Sequence, residues 1–157
     1  MQAGAVDPVL SVQGLTTRFA SRRGEVNAVT DVSFSVRRGE RLAIVGESGS
    51  GKSTMALSLL KLLPRAGRIA SGRVLLNGVD LLGMTEDELR HVRGKDVGVV
   101  FQDPMTSLNP VIKIRDQMVP PIRRHLGLSN EAATERAVDL LRQVGIPDPA
   151  ARLTTYP

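Results

Sequence analysis

The residues Gly46-Glu47-Ser48-Gly49-Ser50-Gly51-Lys52-Ser53 satisfy the pattern G-x-x-x-x-G-K-[S/T] in full, and each residue type in it has a chemical reason. Glycines permit backbone conformations that turn successive N–H groups inward, which makes a concave nest for an anion. The Lys52 amine can reach outer phosphates as a point charge, and the Ser53 hydroxyl can ligate magnesium. Thr54 is placed to help hold an inner phosphate. Glu47, Ser48, Gly49 and Ser50 make up the span of the nest, and Glu47 is given no catalytic role. By itself the loop would serve a GTPase, a nucleotide kinase or a helicase equally, so other residues must decide the class.

Such a loop works only when a strand delivers it and a helix receives it. Arg41-Leu42-Ala43-Ile44-Val45 is a compact apolar run that suits a strand buried on both faces. A helix pattern begins at about Lys52, with Met55, Ala56, Leu59, Leu60, Leu62 and Leu63 nearly encircling the axis, and Pro64 ends it. That predicts a buried helix whose free N-terminal N–H groups and positive dipole end face the loop. Before the loop the chain reads as β-rich over Val9–Val12, Leu15–Phe19 and Val26–Val36, with a turn at Ser21-Arg22-Arg23-Gly24. After it, Arg73–Leu76 reads as a strand closed by the Asn77-Gly78 turn. Thr85-Glu86-Asp87-Glu88 has the form of a capping box, and Val97–Phe101 is a second candidate buried strand. Beyond Asp103–Pro110 the chain is mostly helical. Ala133, Ala137, Leu140, Leu141 and Val144 share one face, Ser129 or Asn130 caps the start, and Gly145 with Pro147 closes the end. The order predicts an α/β nucleotide-binding core with a β-rich lead-in and an appended helical region.

Composition narrows the chemistry. With 157 residues the chain suffices for one ordinary core. It has no cysteine, which removes disulfides, thiolate metal sites and cysteine nucleophiles, and fits a cytosolic setting. Aromatics make up 3%, namely Phe19, Phe34, Phe101 and Tyr156, too few for a nucleic-acid surface built on base stacking. The net charge of +5 is spread over dispersed basic pairs that read as solvated turns and faces. His91 and His125 have no metal-ligand spacing, and Glu86-Asp87-Glu88 is explained by capping. Neither a secretory leader nor a bilayer-spanning run is visible, so a membrane connection is expected through a partner.

Four features together resemble the ATP-binding subunits of ABC transporters. The loop reads GESGSGKST; it follows Val29–Val36 and Arg38-Gly39-Glu40; Ser71-Gly72-Arg73-Val74 with Asn77-Gly78 follows the first helix; and Val99-Val100-Phe101-Gln102-Asp103 matches the Q-loop. The string Phe101-Gln102-Asp103-Pro104-Met105-Thr106-Ser107-Leu108-Asn109-Pro110 is similar to the oligopeptide and dipeptide importer branch, which nickel, some sugar and glutathione importers share.

That resemblance implies a P-loop NTPase fold of the ABC type, binding ATP and Mg2+. It makes the chain one partial ATP-binding domain: a lead-in over about 8–40, a P-loop core over 41–102, and a Q-loop with helical subdomain over 103–157. Phe19 would stack on adenine, and Gln102 would ligate magnesium or orient the attacking water. The region Gln102–Asn109 would meet a membrane permease subunit. A second ATP-binding subunit, and indirectly a substrate-binding protein, would complete a peripheral assembly on the cytoplasmic side of the membrane. No nucleic-acid partner is implied. Signature loop, acidic strand with catalytic glutamate, and switch histidine are absent from the sequence, and "YP" at Tyr156-Pro157 normally precedes the first of these. The expectation is therefore a C-terminally truncated domain in which hydrolysis needs the missing part. A truncated ATP-binding-only product and a soluble non-transport ABC ATPase are the alternatives.

Overall fold

The computed structural model describes residues 7–22, 24–101 and 107–157. They form two compact units, Met1–Leu89 and Arg90–Pro157.

The first unit is built on a four-stranded antiparallel sheet in the order β2-β1-β3-β4, from β1 (Leu10–Ser21), β2 (Gly24–Val36), β3 (Gly67–Leu76) and β4 (Val79–Asp80). The Ser21–Gly24 turn joins β1 to β2, with Ser21 Oγ donating to the Gly24 carbonyl at 2.6 Å. Asn77 and Gly78 join β3 to β4 with φ of 47° and 82°, the left-handed pair that a two-residue hairpin matched to strand twist requires. Val12, Leu15, Val29 and Val74 bury one face, joined by Met55, Leu60, Leu81 and Leu89. Asp80 caps the 3₁₀ turn Leu81–Gly83 and meets Arg73. Burial pushes its carboxyl pKa up, but donation from Arg73 Nε, Leu82 N–H and Val74 N–H outweighs this and holds it below the ordinary value.

Helix α1 (Lys52–Leu59) is shorter than its apolar run. It stops because Lys61 takes a left-handed φ of 52°, with Lys61 N–H donating to Ser58 O and Leu62 N–H to Leu57 O. These two bonds close a Schellman turn, which satisfies end carbonyls that an uncapped helix would leave bare. Only part of the helix is covered: Met55 and Ser58 are buried, whereas Ala56 is exposed.

The capping box forms as the sequence predicts. Thr85 N–H donates to Glu88 Oε2 at 2.7 Å and Glu88 N–H to Thr85 Oγ1 at 3.4 Å, opening α2 (Glu86–Val92).

The second unit packs α3 (Ile114–Leu126), α4 (Asn130–Gln143) and α5 (Pro149–Leu153) around Val119, Ala133, Ala137 and Leu153. Ser129 Oγ caps α4 by accepting from Ala132 N–H, and Gly145 at φ 77° ends it. Val144 sits at the helix end and is 72% exposed, so Val138 rather than Val144 completes the apolar face.

Two expected strands differ. Neither Arg41–Val45 nor Val97–Phe101 is a strand; Val45 is 92% and Val100 99% exposed. A strand buried on both faces needs hydrogen-bonded neighbours on both edges. Among the described residues the second run has a single parallel bridge, Arg93 with Val97, and the first pairs with no strand of the sheet.

Candidate functional site

The phosphate-loop residues converge where β2 meets the start of α1. Between Thr17 and Arg18 the β1–β2 register slips, so Val29 and Asn27 face consecutive β1 residues and Ala28 is extra. Such a bulge redirects a backbone group out of the ladder. Here the Ala28 carbonyl lies against Gly51, where an added Cβ would come far inside 3.0 Å of it. Gly51 also has φ 94°, a left-handed conformation at the N-cap of α1. Only glycine satisfies both conditions, and the result is a helix start seated directly on the sheet.

No side chain caps α1. Its first donors at Lys52, Ser53 and Thr54 therefore have no intrahelical acceptor, and the dipole adds a positive end. Met55 N–H is the first to bond back, donating to Gly51 O at 2.8 Å. The Lys52 amine curls over the loop, donating to Gly46 O at 2.7 Å, Glu47 O at 2.6 Å and Ser50 Oγ at 3.1 Å. Ser50 N–H closes a turn on Glu47 O. The Ser53 side chain is exposed. A cavity of about 290 Å³ opens here, lined by Val29, Val32, Gly46, Ser50, Gly51 and Lys52 among others. A cationic amine, a row of unpaired N–H groups and space beside them form a site whose chemistry fits an anion. Among the described residues no cluster of three metal-ligating side chains exists.

A family model described as ABC transporter matches residues 29–156. The chain belongs to the ABC transporter family. It is 46% identical over 153 residues to the oligopeptide transport ATP-binding protein of Bacillus subtilis, covering 97% of this chain and 43% of that protein. It is 44% identical over 149 residues to the dipeptide transport ATP-binding protein of Escherichia coli, covering 95% and 46%. The chain thus spans a little under half the length of these curated relatives. Its fold matches that of an ATP-binding cassette solved as a dimer in a post-hydrolysis state with ADP and phosphate. The TM-score is 0.77 at 23% identity, covering 94% of this chain and 61% of that one. The ABC-type P-loop fold expected from sequence is accordingly the fold found, over the part of it that this chain covers.

Within this ABC domain the structure gathers Gly46, Ser50, Gly51 and Lys52 around one cavity. Phe19 is not among its lining residues; the ring lies against Gly67, where an added Cβ would fall 2.9 Å from Phe19 Cε1. Gln102 and the residues through Thr106 lie outside the described residues. The chain beyond them is held firmly. Asn109 N–H donates to Gln117 Oε1 at 2.7 Å, and Gln117 Nε2 donates to Asn109 O at 2.9 Å and Ile112 O at 2.7 Å. Among the described residues no helix is long and apolar enough to cross a membrane.

Three residues of the site were not singled out from sequence. Ala28 acts through a backbone carbonyl, which leaves no mark in side-chain identity. Thr17 and Ser58 meet in the interior at 2.8 Å. Ser58 did carry a signal, as a hydroxyl within the apolar run Met55–Leu63.

Proposed function

We propose that this chain provides the phosphate-binding half of a Mg-ATP site in the energy-coupling subunit of an importer, with peptides as the transported class. The uncapped start of α1, seated by Gly51 on the Ala28 carbonyl and overhung by Lys52, carries the reading. In it Lys52 exchanges its contacts with Gly46 O and Glu47 O for phosphate oxygens. The N–H groups of the loop and first turn receive the remaining negative charge, and the Ser53 hydroxyl holds the magnesium that neutralises it. Phe19 contributes a stacking face for adenine, and Gln102 positions water or metal. The peptide class is supported by relatives at 44–46% identity, which are oligopeptide and dipeptide transport ATP-binding proteins. Partners in this reading are a permease subunit at Gln102–Asn109, a second ATP-binding subunit, and through the permease a substrate-binding protein, at the cytoplasmic face of the membrane.

Titration calorimetry with Mg-ATP tests the core of this. Lys52→Ala is expected to weaken binding by about 1.5–3 kcal/mol, the worth of a charge-assisted contact. Equal affinity in both proteins would remove the assignment.

A further inference from the structure

Helix α1 is tied to β1 by two hydroxyls in the interior. Thr17 and Ser58 are both 0% exposed. Their oxygens lie 2.8 Å apart, and Ser58 Oγ donates to the Thr54 carbonyl at 2.7 Å. A hydroxyl has one proton. The proton of Ser58 goes to Thr54, so Thr17 must donate to Ser58, and the relay has one direction: Thr17 to Ser58 to the Thr54 peptide.

That endpoint matters because Thr54 lies in the first turn of α1, where the unpaired donors are. The other ties of this turn are backbone contacts, from Gly51 against Ala28 O and Met55 N–H to Gly51 O. Apolar packing of Met55 and Leu60 fixes how far the helix stands from the sheet but tolerates rotation about its axis. A buried directional bond does not tolerate it, since turning the helix would leave a desolvated donor without a partner. From this geometry we infer that Thr17 and Ser58 are positioning residues for phosphate binding. They set the rotation of α1 and so aim the donors of its first turn. The inference rests on the Mg-ATP reading of the same loop. It also makes an affinity for phosphates depend on a strand residue outside the loop motif.

The test uses the full chain, with Mg-ATP and inorganic tripolyphosphate titrated separately. Thr17→Val keeps shape and burial but removes the donor, and Ser58 still donates to Thr54. It is expected to weaken both ligands by the same factor, about three- to tenfold, as one net hydrogen bond predicts. Thr17→Ser restores the hydroxyl and is expected to bind within about twofold of the parent. In ligand-free protein, Thr17→Val is expected to speed hydrogen exchange of the Met55 amide several-fold. Should Thr17→Val fold poorly, the double variant Thr17→Val with Ser58→Ala removes both buried hydroxyls and with them the unmet acceptor, and the same loss is expected there. Near-parental binding by Thr17→Val or the double variant would overturn the inference. So would Thr17→Ser binding as weakly as Thr17→Val, or unchanged Met55 exchange. A parent that binds neither ligand would instead overturn the Mg-ATP reading, with Met55 exchange still deciding whether the relay aims the helix.

Discussion

Gly51→Ala and Gly49→Ala together measure how the phosphate loop is seated. Both glycines have left-handed φ, 94° and 83°. Any other L-residue there costs about 1–2 kcal/mol from its own backbone. They differ in surroundings. A Cβ at Gly49 meets nothing within 4 Å, whereas one at Gly51 would overlap the Ala28 carbonyl, a backbone atom that cannot rotate away. Relief requires the start of α1 to lift from β2, and overpacking of this kind adds about 1–3 kcal/mol. Gly49→Ala should therefore lower the unfolding free energy by about 1–2 kcal/mol, and Gly51→Ala by about 2–5 kcal/mol. The lift also displaces the N–H groups of Lys52, Ser53 and Thr54, so Mg-ATP affinity should fall further in Gly51→Ala than its backbone strain accounts for. Urea unfolding followed by circular dichroism gives the first quantity and calorimetry the second. Equal losses in the two variants would refute the claim that the Ala28 bulge seats the helix, leaving φ strain as the whole effect.

Phe19→Ala should weaken Mg-ATP by about 0.5–1.5 kcal/mol while leaving tripolyphosphate binding unchanged, if the ring stacks on adenine; a competition assay with fluorescent nucleotide in which both ligands are unaffected would assign the ring to packing on Gly67 alone. A cysteine at Ser107, in a chain that has none, should crosslink to a permease loop in reconstituted membranes, and absence of product there and at Leu108 in an intact complex would contradict the coupling role. Asp80 titrates below the ordinary carboxylate value, so its stabilising contribution is present above the unfolded pKa and lost as pH falls through the lower folded one. The unfolding free energy of the parent should accordingly fall more steeply with acid than that of Asp80→Asn, the two curves converging at low pH, and equal slopes would remove Asp80 from the account.

Local signals were the ones that read most directly. The Asn77-Gly78 hairpin, the Thr85–Glu88 capping box, the Ser129 cap and the Gly145 stop each depend on a few consecutive residues, and each formed where predicted. The glycine-rich loop leading into α1 is a local pattern of the same kind. Contacts between distant segments were not. The bulge at Ala28 is a register slip between two strands, and the Thr17–Ser58 pair joins residues 41 positions apart. Helix α3 passes through Pro120-Pro121, where a breaker rule would cut it. Burial of Val119 against Ala133 and Ala137 is available to compensate the two missing N–H donors. The end of α1 was misjudged because Lys61, with no glycine to announce it, takes the left-handed position.

The two strand-like runs show what a hydrophobicity pattern does and does not encode. Arg41–Val45 and Val97–Phe101 are apolar at nearly every position, which suits residues covered on both faces. The pattern states the environment such residues favour, yet pairing is a property of two segments at once, and among the described residues neither run has a flanking strand on each side. The sheet that does form uses antiparallel segments whose polar and apolar residues are mixed, two of its pairings being hairpins and the third joining β1 to β3 across β2 and α1. It is significant that the first run leads directly into Gly46 and the second directly into Gln102. In each case a residue assigned to nucleotide chemistry follows an apolar segment immediately. Helix α1, held by Gly51 on Ala28 and Thr17 on Ser58, already has its aim without flanking strands on either run.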